Sequence, residues 1–133
     1  DSDTESGIAL RVFKNEKTKK IGISLEVSFV ERKIGENTLE NQNKVLEVPI
    51  DEPLYYFVQF AKSKENCALD RFEGNEKNRE KFLKDWENGK IRKVLVKFDV
   101  EEIERFESLD ELVEEFLKGF KLLIPFYLKT KEI

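Results

Sequence analysis

The stretch Ser108 to Tyr127, SLDELVEEFLKGFKLLIPFY, is the longest regular pattern in the chain. Its apolar residues recur three or four positions apart, which is the spacing that lines one side of an α-helix. Ser108 followed by Glu111 predicts a capping box at the start, and Pro125 predicts a kink or an end in the last turn. Because so wide an apolar stripe needs a covering layer, we expect the rest of the chain to supply a sheet.

The segments before this helix alternate apolar and polar residues, which is the period of half-buried strands. The first two of them are joined by a short polar turn, so they predict an antiparallel hairpin. The predicted strands are 7–14, 21–29, 45–50, 54–61, 67–72 and 91–98, with 54–61 as the central strand because it is apolar on both faces. A shorter helix is predicted over 78–88 and a loop over 34–43.

This order of elements predicts a single α+β domain over residues 1–133. Its core is expected to be a mostly antiparallel, curved sheet of about five or six strands, packed by the long C-terminal helix and by the shorter helix. Residues 1–6 are polar and are predicted to form a disordered lead. The chain starts at Asp1 without methionine, which suggests a fragment of a larger protein.

Composition excludes several classes of function. The chain has 133 residues, 24 Lys+Arg against 28 Asp+Glu, a net charge of -4, no histidine and one cysteine. Histidine-dependent triads, histidine-ligated zinc and internal disulfides are therefore excluded. We expect a cytoplasmic, non-enzymatic protein without a cofactor or metal and without membrane association, since no apolar run is long enough to cross a bilayer.

Two groups of basic residues are candidates for phosphate contact. Four lysines flank or occupy the predicted hairpin turn, where their ammonium groups could meet a polyanion. A second group lies in and after the shorter helix, with glutamates interleaved, and a solvated face explains it equally well. The candidates are Lys14, Lys17, Lys19 and Lys20 in the first group, and Arg92 and Lys93 at the end of the second.

Three aromatic residues with polar groups, Tyr55, Tyr56 and Trp86, are candidates for stacking on a base. Aromatic residues in an apolar strand or on an apolar helical face are more often part of the core, so that alternative stays open. Asp70, Arg71 and Asn75 lie around a predicted strand end and could supply polar contacts at a pocket mouth, although Asp and Asn are also ordinary turn residues.

A metal-dependent nuclease remains a third alternative. Glu31-Arg32-Lys33 matches the Glu-x-Lys half of such a site, and only Glu16 or Glu26 could supply the preceding carboxylate. Glu-x-Lys recurs by chance in a chain rich in both residues. Cys67 is predicted to be a buried apolar residue of a strand.

Four segments together resemble the amino-terminal specificity region of McrB-like AAA+ restriction proteins. They are LYYFVQF from Leu54, LDRFEGNEKNREKFLKDW from Leu69, IRKVLVKFDVEEIERF from Ile91, and the long-helix segment from Ser108. The resemblance covers about the last 80 residues and consists of apolar and aromatic positions. It implies a reader of modified DNA or other nucleic acid, which relies on an AAA+ GTPase domain in the same chain. Related leading domains are similar to PUA, EVE and YTH modules, whose curved sheets hold a flipped base in an aromatic cage.

The sequence therefore predicts a non-catalytic nucleic-acid-binding specificity domain of a McrB-like restriction system. Lysines of the hairpin turn would contact phosphates, and Tyr55, Tyr56 or Trp86 would contact a base. The alternative is a protein-interaction or assembly module without nucleic-acid binding, in which the terminal helix docks a partner.

Overall fold

The computed structural model describes residues 6–29, 38–63 and 68–132, and it confirms an α+β fold. The strands are β1 Ser6–Lys14, β2 Ile21–Phe29, β3 Tyr55–Phe60, β4 Asp70–Glu73 and β5 Ile91–Val100. The helices are α1 Thr38–Asn43, α2 Glu76–Glu87 and α3 Leu109–Thr130, with short 3-10 turns at Lys44–Glu47, Ala61–Ser63 and Ile103–Arg105. None of the described helices is both long enough and apolar enough to cross a membrane.

All the strand pairs are antiparallel, and the strand order is β1-β2-β5-β3-β4. The predicted hairpin of β1 and β2 is confirmed, and Asn15 closes its turn by accepting bonds from the Lys17 and Thr18 amides through its side chain. The central strand is β5, which corrects the expectation that 54–61 would be central. Strand β3, which pairs with β5 and β4, is apolar on both faces because Tyr56 and Val58 face the core and Tyr55 is buried on the opposite face.

The long helix α3 begins at the predicted cap. Ser108 accepts a hydrogen bond from the Glu111 amide, whereas the Glu111 carboxylate accepts from the amide of Glu107 rather than from Ser108. The helix continues past Pro125 to Thr130, so the expectation that it would end at Pro125 is wrong. The reason is packing, because Phe126 and Thr130 beyond the proline are both buried.

The core lies between α2, α3 and one face of the sheet. Successive strand residues point to opposite faces, so this face takes Leu25 and Val27 from β2, even-numbered residues of β3 and β5, and Phe82 and Leu123 from the helices. Helix α3 crosses β5 closely at Gly119, where a side chain would collide with the ring of Phe98. The predicted packing of the sheet by the long and short helices is thus confirmed.

Residues 38–47 differ most from the prediction. Within 38–43, predicted as loop, the chain forms α1, and the predicted strand at 45–50 begins as a 3-10 turn. Gln42 donates to the carbonyls of Val27 and Val94, and it accepts a bond from Ser6. These buried amide contacts bind the segment to sheet backbone, and apolar periodicity does not detect interactions of this kind.

Other boundaries shift by a few residues. Ser6, predicted to belong to the polar lead, begins β1 and is buried, while residues 1–5 lie outside the described part. Strand β4 runs Asp70–Glu73 where 67–72 was predicted, with residue 67 outside the described part, and α2 runs Glu76–Glu87 instead of 78–88. The earlier start of α2 follows from Asn75, whose side chain accepts a hydrogen bond from the Asn78 amide and so caps the helix.

Candidate functional site

The face of the sheet opposite the core carries a cleft of about 720 Å³. None of its lining residues comes from a helix, because the described helices α2 and α3 pack on the other face. All five strands and the β1–β2 turn contribute to it, so the cleft exists only once the sheet has formed. Its lining residues are Arg11, Val12, Phe13, Asn15, Glu16, Lys17, Ser24, Tyr55, Phe57, Arg71, Lys97, Asp99 and Glu101.

Glu26 forms the charged centre of this face. It is only 1% exposed, although it lies on the side of β2 that no described helix covers. Lys97 is its cross-strand partner on β5, with Nζ 3.4 Å from Oε1, and Nε of Arg11 lies 2.9 Å from the same oxygen. Directly opposed side chains of antiparallel strands approach closely, which explains the pairing of Glu26 with Lys97.

The two ion pairs leave the Glu26 carboxylate short of hydrogen bonds. Both contacts have ion-pair distances, but neither carboxylate oxygen has an aligned hydrogen-bond donor among the described residues. A buried charge without hydrogen bonds is costly, and such a group calls for an explanation such as a bound water, an ion or a ligand. The carboxylate of Glu26 is therefore a ready acceptor for a ligand that displaces the exposed Arg11 side chain.

Two aromatic rings extend the site along β3. Tyr55 and Phe57 are in edge-to-face contact with their centroids 5.7 Å apart. The Lys97 ammonium lies 4.3 Å from the centroid of Phe57, and the Arg71 guanidinium lies 3.7 Å from that of Tyr55. Each ring thus has a cation over it, which is an arrangement that a nucleobase or another planar group can replace or join.

Asp99 holds the tyrosine and the arginine in place. The Tyr55 hydroxyl donates a 2.5 Å hydrogen bond to Oδ1 of Asp99, and the guanidinium of Arg71 lies 3.6 Å from Oδ2. Burial raises the pKa of Tyr55 above its ordinary value, and the hydrogen bond to Asp99 raises it further. Tyr55 is therefore a protonated donor at neutral pH, and it cannot act as a base there.

The structure brings three of the predicted site residues into the cleft, namely Lys17, Tyr55 and Arg71. Lys14, Lys19 and Lys20 are exposed beside it at the hairpin turn, where Nζ of Lys19 is 3.7 Å from Glu16. These lysines border the cleft without lining it.

The other predicted residues lie elsewhere. Tyr56 points to the opposite face and is fully buried in the core, and Trp86 packs against the core from α2. Tyr56 and Trp86 therefore contribute to the core, which was the alternative to base stacking. Arg92 donates to Gln59 and Lys93 lies 5.7 Å from the Phe29 ring, near the start of β5 and outside the cleft. Two further residues were candidates for a pocket mouth. Asp70 lies on the edge strand β4, and Asn75 caps α2.

Sequence reasoning missed most of the cleft, including Arg11, Glu26, Phe57, Lys97 and Asp99. Arg11 and Glu26 stand at polar positions of the alternating strand pattern, and a polar position predicts solvation rather than burial. The sequence does show opposite charges on different strands. Which of these charges pair can be predicted only once the strand order is known.

The nuclease alternative cannot be placed, because Glu31 and Lys33 lie outside the described residues, as does Cys67. Within ranges 6–29, 38–63 and 68–132, no group of three or more His, Cys, Asp or Glu residues is positioned to hold a metal ion. Glu26, one possible partner carboxylate for that alternative, is paired with Arg11 and Lys97.

A second cleft of equal volume lies beside β4 and the end of α2. Its charged residues include Lys81 and Asp85, which already form a 2.8 Å ion pair one helical turn apart. This pair is on the surface and contains no buried unsatisfied charge, so the cleft lacks the feature that distinguishes the sheet face. The sheet cleft is therefore the stronger candidate.

Comparison with known proteins adds no relative to this description. No family model matches the sequence, no curated protein matches it, and no solved structure matches the fold.

Proposed function

We propose that the chain is a nucleic-acid-binding specificity domain without catalytic activity of its own, and that the sheet cleft takes a base. The observation that carries this proposal is the cleft itself, in which two aromatic rings, each beside a cation, adjoin a buried carboxylate with unused acceptor capacity. Stacking rings with adjacent hydrogen-bonding groups are the elements that recognise an unstacked base.

The distribution of charge indicates different roles for the cleft and the hairpin turn. Four cations line the cleft, Arg11, Lys17, Arg71 and Lys97, but Glu16, Asp99 and Glu101 line it too, and Glu26 lies beneath them. A nearly balanced cleft suits a neutral base better than a phosphate chain. Neutralisation of phosphates would come from the exposed lysines of the turn, which continue from the edge of the cleft.

Within the cleft, the residue roles follow from their chemistry. A base would stack on Tyr55 once Arg71 swings aside, and 60% exposure of the Arg71 side chain leaves room for that movement. Stacking on Phe57 would require the Lys97 ammonium over that ring to move as well. The Glu26 carboxylate would accept a hydrogen bond from an exocyclic amino group, as found on cytosine or adenine. A DNA-modification reader of a McrB-like restriction system fits these roles, with hydrolysis and cutting left to an AAA+ GTPase domain.

Fluorescence anisotropy at low salt tests the proposal with single-stranded, duplex and methylated duplex DNA and with RNA. We expect binding that weakens as salt rises, with a slope that falls by about 0.9 for each phosphate contact removed from a duplex. Lys17→Ala should reduce this slope, whereas the matched control Lys84→Ala on α2 should not. Absence of binding to all four probes would overturn the proposal.

The role of the cleft is tested separately by Phe57→Ala and Glu26→Gln, compared on the same probes. Loss of a stacking ring should weaken binding to every sequence, by about 1–3 kcal/mol per base. Glu26→Gln should change the ranking among bases, because an amide can donate as well as accept. Unchanged affinity in both variants, with folding intact by circular dichroism, would place the contact elsewhere on the surface.

A further inference from the structure

The edge strand β1 exposes apolar side chains to an unusual degree. Leu10 is 66% exposed and Val12, which also borders the sheet cleft at the strand edge, is 73% exposed. Both positions alternate to the face of the sheet that carries α3. Among the described strands β1 has a neighbour on one side only, so its outer backbone groups have no strand partner there. The exposed part of this edge, Leu10 to Val12, is a template for pairing with another strand, whereas Ser6 at the start of β1 is buried and its carbonyl accepts a bond from Lys131 Nζ.

Helix α3 continues the same apolar surface. Phe116, Leu117 and Phe120 form a shallow cavity of about 280 Å³ with Ile8, Leu10 and Leu25. The first half of α3 adds further exposed apolar side chains. We call this surface the apolar stripe and define it by Leu10, Val12, Leu109, Val113, Leu117 and Phe120, which are 43–73% exposed.

We propose that the apolar stripe binds a second copy of this chain, with β1 pairing antiparallel to β1 of the partner about a two-fold axis at Leu10. The two five-stranded sheets would then form one continuous sheet, and the two α3 helices would lie on the same face of it, one on each side of the seam. This inference is independent of the proposed nucleic-acid function. It supports the assembly role that the sequence left as its alternative.

The sequence of β1 is self-complementary in this register. With Leu10 opposite its own copy, Ile8 faces Val12, and all three apolar residues lie on the same face as α3. No like charges oppose each other, because Arg11 faces Ala9 and Lys14 faces Ser6. A shift of the pairing by one residue would place apolar side chains against the polar face of the partner strand. A shift by two would place Arg11 opposite its own copy or Val12 opposite Ser6, so the axis at Leu10 is the register that pairs all three apolar residues without opposing like charges.

Charge on α3 also favours a second copy. A two-fold axis perpendicular to the sheet makes the two helices antiparallel, which places the first half of each helix beside the second half of the other. Beside the apolar stripe, the first half carries Asp110 and Glu114 and the second half carries Lys121, whereas Lys118 and Lys129 already pair with Glu115 and Glu47 in the same chain. Acidic and basic segments would therefore face each other across the seam.

The size of the surface is adequate for a dimer. The six side chains of the apolar stripe expose on the order of 600 Å² of apolar area, at the upper end for a monomer, and a typical interface buries roughly 800 Å² per partner. Backbone pairing along β1 adds to this area. A two-fold axis perpendicular to the sheet keeps the cleft-bearing faces of both copies on the same side. Both clefts would therefore stay open on the face opposite the α3 helices.

A cysteine-pair experiment tests the register. In a Cys67→Ser background, which removes the only native thiol, Leu10→Cys should form a disulfide-linked dimer rapidly under mild oxidation. Val12→Cys is the matched control. In the proposed register it lies about 13 Å from its own copy, too far for a disulfide without backbone movement. Equal rates for the two variants would overturn the register.

Light scattering across a dilution series tests the dimer itself. The unaltered chain should dissociate reversibly, and Leu10→Lys should weaken self-association by about 100-fold or more, because the two-fold axis duplicates each lost contact. Leu128→Lys, at a residue 56% exposed on α3 outside the apolar stripe, should leave association unchanged. A monomer at all concentrations, with native circular dichroism, would overturn the proposal.

Discussion

The two faces of the sheet differ in the interactions that their buried side chains make. The neighbouring residues Tyr55 and Tyr56 show this difference. Tyr56 points into the helix-covered core, where its hydroxyl has no hydrogen-bond partner among the described residues. Tyr55 points to the cleft and donates to Asp99. The core face is organised by apolar packing, whereas the cleft face is organised by ion pairs and cation–ring contacts. Burial alone therefore does not distinguish a structural side chain from a functional one.

The largest expected effect is on the core face. Phe82 is fully buried and makes edge-to-face contacts with Tyr56, Phe60 and Phe72. Phe82→Ala should lower the free energy of unfolding by about 3–5 kcal/mol, because it removes a large side chain and leaves a cavity. Urea denaturation measures this change, and Leu128→Ala on the exposed surface is the control. A loss below about 1 kcal/mol would show that the core face is not the stabilising one.

The cleft face should respond differently to single and double substitution. Glu26→Leu leaves the Lys97 ammonium buried without its carboxylate, and should cost about 3 kcal/mol. Adding Lys97→Met should restore most or all of that stability, since an apolar pair avoids the desolvation cost. Urea denaturation of the four members of this double-mutant cycle gives the coupling energy. If the double variant were the least stable, the ion pair would be structural and the contrast between faces would fail.

The paired tyrosines give a smaller and more direct test. Tyr55→Phe should cost about 1.5–3 kcal/mol, because it removes a hydrogen bond to a charged acceptor. Tyr56→Phe should be neutral or slightly stabilising, since it removes a buried hydroxyl that is unsatisfied among the described residues. Thermal and urea unfolding of the two variants measure the difference. Equal losses would mean that the Tyr56 hydroxyl contributes a bond of its own.

The smallest expected effect lies outside both faces, at the start of α2. The Arg79 guanidinium, followed by the Ile50 amide, lowers the pKa of the Glu76 carboxyl to about 2 from 4.5. Because the folded pKa is the lower one, this carboxylate stabilises the fold above about pH 4.5, and the contribution is lost as pH falls toward 2. Glu76→Gln should therefore lower stability slightly at neutral pH.

A pH series of urea denaturation curves measures the Glu76 effect. The difference between Glu76→Gln and the unaltered chain should shrink as pH falls through this range and vanish near its lower end. Glu80→Gln, on the same helix, serves as the charge-matched control. A difference that stayed constant with pH would show that the charge of the Glu76 carboxylate does not contribute to stability.

Much of the fold could be predicted from local pattern. The hairpin, the capped start of α3, the last strand and the α+β class follow from periodicity and end signals that are written in neighbouring residues. The segment at 38–47 could not be predicted in the same way. Its helix and 3-10 turn depend on Gln42 and Asn43, whose amides bind backbone groups of β2 and β5 far along the chain.

The sequence by itself determined the β1–β2 hairpin, the last strand, the long helix and the absence of histidine chemistry, because composition and side-chain period are local properties. Only the tertiary structure decided which polar residues meet. Arg11, Glu26 and Lys97 come from three strands, and the order β1-β2-β5 brings them together. It also decided that adjacent tyrosines have opposite environments, since a strand alternates sides but only the position of the helices makes one side the core.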